Sequence, residues 1–505
     1  MVVDKSNVSS LLSSSILVFV GTALTAVGTF VERIIIARNF DVAGYGEVSL
    51  GLAIMSLTVG ISMVGLNQGV PRYISRFDSD ADIRGVWIVG TLLAIAVSVV
   101  ITAILATNVH VVAETLYDGT DSVGLLRLFI LAIPLLAGFR MGLSTLRGFE
   151  NTRYKFLVGD ILYPVLRIAL VAGLIFGGAG LAAAGYAYLT AAALVLVAVY
   201  VAIHRLLPLV GPVELHVREL VRFSAPLALS TVLAVLLTRT DLLMVGYFQS
   251  SSQAGLYSAA YSVTNLLLIV VGSLGYLYLP LTSRLDAEGD HEQIDELYQV
   301  TTKWGFVLSF PLFVVFVAFA GDVLSLTFGG AYRPASPAFV ILAIGFFSDV
   351  AFGRNRPTLK ALGMTKQILA ANVIALGANV VLNVALIPVF GLVGAAVAST
   401  AAYLGRNAAM YATLYRQFGI TPLSPSLVRT YIVLPATLLP VAFVTGQFLT
   451  LSVLSLPVVG ALVTLLTLVT TLVSGCLRSV DLIFIETVED AIGSKLPYIR
   501  RFVTS

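Results

Sequence analysis

Apolar residues run along this chain in long unbroken stretches separated by short polar turns. Stretches of about 20 residues, the length that crosses a hydrocarbon core, centre near Val20, Leu57, Ala96, Leu135, Ala169, Val195, Val235, Leu268, Val315, Ile344, Val380, Ala402, Leu438 and Leu465. They predict an all-α polytopic membrane protein with about fourteen transmembrane helices. The apolar residues do not alternate with polar ones, which excludes a β-barrel. Two spans are interrupted by charge: Asp349 lies in the one around Ile344, and Arg140 in the one around Leu135.

Composition agrees with that pattern. Of 505 residues, 58% are hydrophobic and only 11% charged, less than half of what covers a soluble domain. A soluble enzyme, a disordered chain and a collagen-like fibre are excluded. The single cysteine, Cys476, rules out an intrachain disulfide. The histidines (His110, His204, His216, His291) are far apart in sequence, so no metal spacing is seen and no metal is expected. There is no phosphate-loop motif, no sign of a cofactor, and no reason to expect nucleic acid. The apolar run after the polar N-terminal residues lacks a small-residue cleavage site and reads as a retained first span.

Basic residues set the orientation. If the N-terminus is cytoplasmic, 23 of the 30 lysines and arginines fall on inner loops and termini. Arg33, Arg38, Arg127 and Arg333 remain outside, and Arg140, Arg167 and Arg239 sit within spans. That split expects a multi-pass plasma-membrane protein with both termini cytoplasmic. The outer loops are short; the longest, about 107–124, is too small for a folded domain. On the inner side, Asp290 and Gln293 have the spacing of a capping box. Ile294, Leu297 and Tyr298 then share a face, which reads as a short helix lying on the membrane surface.

Two motifs recur at one offset. Ala43-Gly44-Tyr45-Gly46 and Ala254-Gly255-Leu256-Tyr257 are 211 residues apart, as are the Gly-Leu starts at Gly180 and Gly391. The spacing expects two six-helix lobes related by a parallel pseudo-repeat. The N-terminal lobe would cover 1–210 and the C-terminal lobe 211–420. Two further helices would cover 421–476, and a cytoplasmic tail 477–505.

Four segments together resemble a known family. Residues Ala361 to Ser399 carry Leu362, Gly363, Lys366, Asn379, Asn383, Ile387, Pro388, Gly391, Gly394, Ala395 and Ala396. Phe328, Gly329, Tyr332 and Ala335 form a second match, and Asp241, Gly255, Tyr257, Ala260 and Tyr261 a third. Ala37, Arg38, Gly44, Tyr45 and Gly46 form the fourth. The chain is similar in these to the polysaccharide transporters, the Wzx-type flippases of the multidrug/oligosaccharidyl-lipid/polysaccharide exporter superfamily. That resemblance implies a V of two six-helix lobes, two extra helices and alternating access. It also implies movement of a lipid-linked oligosaccharide from the inner to the outer leaflet, for surface glycan assembly or protein N-glycosylation.

The charges at bilayer depth are the candidate site, because an ionisable group there is costly and kept for function. Arg33, Arg140, Arg167, Arg239 and Arg354 are candidates for holding the phosphate or pyrophosphate of a lipid carrier, since arginine binds phosphate with two parallel N–H groups. Glu32, Asp160, Asp241 and Asp349 are either ion- or proton-coupling groups or salt-bridge partners. No catalytic residue is expected. Tyr257, Tyr261, Tyr276 and Tyr278 read mainly as packing aromatics. Two alternatives stay open: a cation-coupled multidrug exporter of the same superfamily, and a membrane glycan polymerase or glycosyltransferase. The short outer loops weigh against the second. Partners would be the lipid-linked oligosaccharide, membrane lipids, and glycosyltransferases and an oligosaccharyltransferase of the same pathway. Arginines outnumber lysines 24 to 6, and the inner loops Asp78–Asp82 and Asp286–Glu296 are acidic. Both features suit a salt-loving archaeon, where the carrier would be dolichol; a bacterial carrier would be undecaprenol.

Overall fold

The structure is a computed structural model. It describes residues 5–118, 122–273, 278–477 and 481, with side chains from residue 20 onward and excepting residues 230, 270, 271 and 273. Tyr276, Asp121, and the tail residues Arg478, Lys495, Arg500 and Arg501 lie outside the described residues. Among those described, every regular element is a helix. With no water to bond it, backbone in a hydrocarbon layer must satisfy its own polar groups, and a helix does so within one segment.

The chain divides into two compact units, one of residues 1–258 with 383–392, the other of residues 259–382 with 393–505. The first holds α1 (Lys5–Asn39), α2 (Val42–Ser62), α3 (Leu66–Ile74), α4 (Asp80–Thr107), α5 (Val109–Leu116), α6 (Val123–Gly148), α7 (Thr152–Tyr154), α8 (Tyr163–Phe176), α9 (Ala182–Leu206), α10 (Val217–Phe248) and the first part of α11 (Ser251–Thr264). Residues Lys155–Leu162, between α7 and α8, form a π-helical run. Asp41 and Ser79 cap α2 and α4, each accepting a bond from a backbone N–H of the first turn. Met63, Val70, Val86, Ala137, Met141 and Leu220 form a buried core within this unit.

The second unit holds α12 (Leu267–Ser273), α13 (Tyr278–Glu288), α14 (His291–Ala318), α15 (Ala320–Thr327), α16 (Ser336–Ala351), α17 (Asn355–Ala361), most of α18 (Thr365–Phe418), α19 (Pro425–Phe448) and α20 (Ser455–Val473). Asp290 caps the helix, accepting from the Gln293 backbone N–H at 3.0 Å, but the reciprocal half of the expected box is not made: the Gln293 amide donates to the Asp290 carboxylate, and the Asp290 N–H donates to the Leu285 carbonyl. The helix it opens is not a short surface helix, however. α14 runs on for 28 residues, and Ile294 and Tyr298 are buried in a core with Leu359, Met410 and Leu414. The apolar face seen in the sequence is the start of a span.

Twelve helices among the described residues are long and apolar enough to cross a membrane. The sequence expects about fourteen, and two places account for the difference. One is residues 251–273, where the helix is interrupted and each piece is shorter than a span. The other is α18, 54 residues long, which breaks at Gly391 (φ 57°, ψ −136°). That conformation suits glycine. Just before the break, the Gln249 side-chain amide donates to the Ile387 carbonyl at 2.8 Å. Outward-facing apolar side chains such as Phe176, Phe448 and Leu454 are at least four-fifths exposed, as lipid-facing positions are.

The repeated Ala-Gly motifs meet. Gly46 of α2 and Gly255 of α11 pack backbone to backbone. A Cβ built on Gly255 would lie 3.1 Å from the Gly46 nitrogen. Small residues are what permit helices to approach so closely.

Candidate functional site

The site grows from one face of α1. Thr29, Glu32 and Arg33 fall three and four residues apart, so they share a side of the helix. On α8, Tyr163 and Arg167 are likewise i and i+4. The two faces meet: Arg167 Nη2 lies 2.8 Å from Glu32 Oε2 and donates to Thr29 Oγ1 at 3.2 Å. Both charged side chains are buried, Glu32 to 1% exposure.

Two tyrosines lie close to the Arg167 guanidinium. Its carbon sits 4.7 Å from the Tyr163 ring centre and 5.0 Å from that of Tyr188 on α9. Both rings are within cation–π distance, which stabilises charge away from water. The ion pair is close without being aligned as a hydrogen bond. Arg167 Nε and both Glu32 oxygens have no hydrogen-bond partner among the described residues.

Two further arginines belong to the same cluster. Arg33, next to Glu32, donates to Ser258 Oγ at 3.2 Å, and Ser258 in turn bonds the Tyr45 hydroxyl at 3.4 Å. Arg140 on α6 is close enough to Tyr163 and Arg167 to interact electrostatically with both. Its side chain is exposed, and no carboxylate pairs with it among the described residues. Arg33 and Arg167 thus flank Glu32, and Arg140 lies near Arg167, so this cluster of three cations and one carboxylate carries an excess of two positive charges.

The acidic candidates have other surroundings. Asp160, in the π-helical run, pairs with Lys155 at 2.6 Å. Asp241 on α10 is 3% exposed and accepts from the Asn383 amide at 2.7 Å and the Tyr257 hydroxyl at 3.4 Å. Arg239, two residues earlier, is half-buried. In the second unit, Asp349 pairs with Arg406 at 2.9 Å and accepts from the Asn407 amide at 2.5 Å. Arg354 lies at the turn before α17, partly buried, and interacts electrostatically with Tyr278. Among the aromatic candidates, Tyr261 packs edge-on against Phe346 and Tyr278 bonds Thr358.

Three features escaped sequence reasoning. Tyr163 and Tyr188 are ordinary-looking tyrosines in spans, and nothing in their local sequence singles them out as ring partners of one guanidinium. Glu47 is a buried carboxylate near the start of α2 that accepts a bond from Ser122. Lys303 forms a buried ion pair with Asp481.

With twelve helices among the described residues long and apolar enough to cross a membrane, the chain is a multi-pass membrane protein. Its architecture is that of the multidrug/oligosaccharidyl-lipid/polysaccharide exporter superfamily. The solved lipid II flippase MurJ, in an inward closed conformation, superposes with a TM-score of 0.69 at 11% identity, covering 89% of this chain and 97% of MurJ. An inward-facing multidrug resistance MATE family transporter gives 0.67 at 15% identity, covering 78% and 94%.

A family profile described as polysaccharide biosynthesis protein matches residues 11–286, and the chain belongs to that family. The MatE profile matches residues 226–385. Among curated relatives, "Probable low-salt glycan biosynthesis flippase Agl15" of Haloferax volcanii is 25% identical over 396 residues, covering 77% of this chain and 80% of the relative. That relative is named as a flippase, a transporter and not an enzyme.

Proposed function

We propose that the protein flips a lipid-linked oligosaccharide from the cytoplasmic to the outer leaflet by alternating access. The carrier would be a polyprenyl or dolichyl phosphate or pyrophosphate. The observation that carries this reading is the cluster of Arg33 and Arg167 beside Glu32, with Arg140 near Arg167. Its charge excess suits an anionic head group. The Arg167 Nε–H and the exposed Arg140 guanidinium are N–H donors of the kind that grips phosphate oxygens. A glycan flippase as relative supports the same reading. Arg239, in the same unit, would add to this charge, and Arg354 would be a cationic contact of the second unit; Asp241, held by Asn383 and Tyr257, is a candidate coupling group. The protein would sit in the plasma membrane with both termini cytoplasmic. It would work alongside the glycosyltransferases that build its cargo and the oligosaccharyltransferase that consumes it.

The test is deletion of the gene, followed by mass spectrometry of lipid-linked sugars and of surface glycoprotein, with complementation by wild-type or Arg140→Ala protein. Cargo is expected to accumulate on the cytoplasmic leaflet in the deletion and in the Arg140→Ala strain. Unchanged glycans with new sensitivity to cationic drugs would overturn the reading in favour of a multidrug exporter.

A further inference from the structure

The segment joining α9 to α10, residues 207–216, is fastened to the start of α4. The buried Arg84 side chain donates from Nε to the Pro208 carbonyl at 2.9 Å and from Nη1 to the Pro212 carbonyl. The Glu214 backbone N–H donates to the Ala81 carbonyl at 3.1 Å. All of these residues belong to the first unit. The fastening brings side chains from distant parts of the sequence to one point. A carboxylate oxygen of Asp82, one of Glu214 and a ring nitrogen of His216 all lie within 4.8 Å of one another.

From this we propose that Asp82, Glu214 and His216 bind a divalent transition-metal ion, Zn2+, which clamps the 207–216 segment onto α4. Zinc takes histidine nitrogen and carboxylate oxygen at about 2.0–2.2 Å, so ligand atoms around one ion stand about 3–4 Å apart. The donors are already near that spacing. His216 Nε2 is 2.6 Å from Asp82 Oδ1, and a small opening of this contact admits the ion. The other ring nitrogen, Nδ1, faces Glu219 Oε2 at 3.8 Å. A carboxylate behind a metal-bound imidazole fixes its orientation and raises its basicity. With Asp82, Glu214 and Glu219 around a single imidazole, the site is net negative even when His216 is protonated. The Arg84 cation, two residues from Asp82, is turned to the Pro208 and Pro212 carbonyls. Asp82 and His216 side chains are each 22% exposed and Glu214 is exposed, which leaves a path for the ion and a coordination position for water. The sequence hides the set because Asp82 is more than 130 residues from Glu214 and His216.

The test uses tag-free, chelator-treated full-length protein in nanodiscs, titrated with Zn2+ against a chromophoric chelator, with protease cleavage of the 207–216 segment as a second readout. Wild type is expected to bind one Zn2+ per chain in the micromolar range or tighter and to become resistant to cleavage. His216→Ala is expected to lose at least about tenfold in affinity. Glu214→Gln, a change at an exposed side chain that leaves the fold intact, is expected to do the same and to lose the protection. Equal Zn2+ affinity in wild type and Glu214→Gln, or no binding by wild type at 100-fold higher Zn2+, would overturn the proposal. So would cleavage that does not respond to the metal.

Discussion

Arg167 of α8 and Glu32 of α1 form an ion pair at 2.8 Å with both side chains withdrawn from solvent. Removing one partner of such a pair leaves a buried uncompensated charge, which costs about 3–5 kcal/mol. Arg167→Ala is therefore expected to lower the unfolding temperature sharply. The double variant Glu32→Gln, Arg167→Met should recover most of that stability and still fail to flip cargo. Calorimetry and a leaflet assay, run on the same preparations, separate the two effects.

Arg140 contrasts with Arg167. It is exposed and pairs with no carboxylate among the described residues, so Arg140→Ala should change stability by no more than about 0.5 kcal/mol. Transport is expected to fall at least about tenfold, roughly the loss of one charge-assisted contact. Arg140→Lys keeps the charge without the fork and should fall between. A flipping rate in Arg140→Ala equal to wild type would remove Arg140 from the site.

Gly46 and Gly255 allow α2 and α11 to touch. Gly255→Leu places a side chain where the Gly46 backbone lies and should destabilise by about 1–3 kcal/mol or more. Gly377, where an added Cβ meets nothing, is the control and should tolerate alanine. Thermal unfolding in detergent gives the comparison.

Asp349 is read here as a structural partner of Arg406 and Asn407. Arg406→Ala should then lower stability while leaving the affinity for cargo unchanged in the protein that folds. Altered ion dependence of transport in Asp349→Asn, with stability intact, would instead make it a coupling group.

Much of this was legible in the sequence. Length and continuity of the apolar runs announce helices in a membrane, because no other element of that length satisfies its backbone there. The cost of charge at bilayer depth singles out Arg33, Arg140 and Arg167; in the structure Arg33 and Arg167 flank Glu32 and Arg140 lies near Arg167. Other features depend on contacts that no local pattern records. The Tyr188 ring reaches Arg167 only because α8 and α9 pack together. Asp349 reads like Asp241 in sequence, yet Arg406 lies opposite one and Asn383 opposite the other. The Ile294 face resembles a surface helix because its burying partners, Met410 and Leu414, come from more than 100 residues further on.

The π-helical run at Lys155–Leu162 sits directly before α8. Each residue of such a run turns the chain through a smaller angle than in an α-helix. The direction in which Arg167 points is thus set by how many residues the wide run contains, as well as by what Arg167 touches. Deleting one residue there would leave an unbroken apolar span of nearly the same length and swing the guanidinium off the Glu32 face. The register of a helix, more than the identity of its residues, aims the charge.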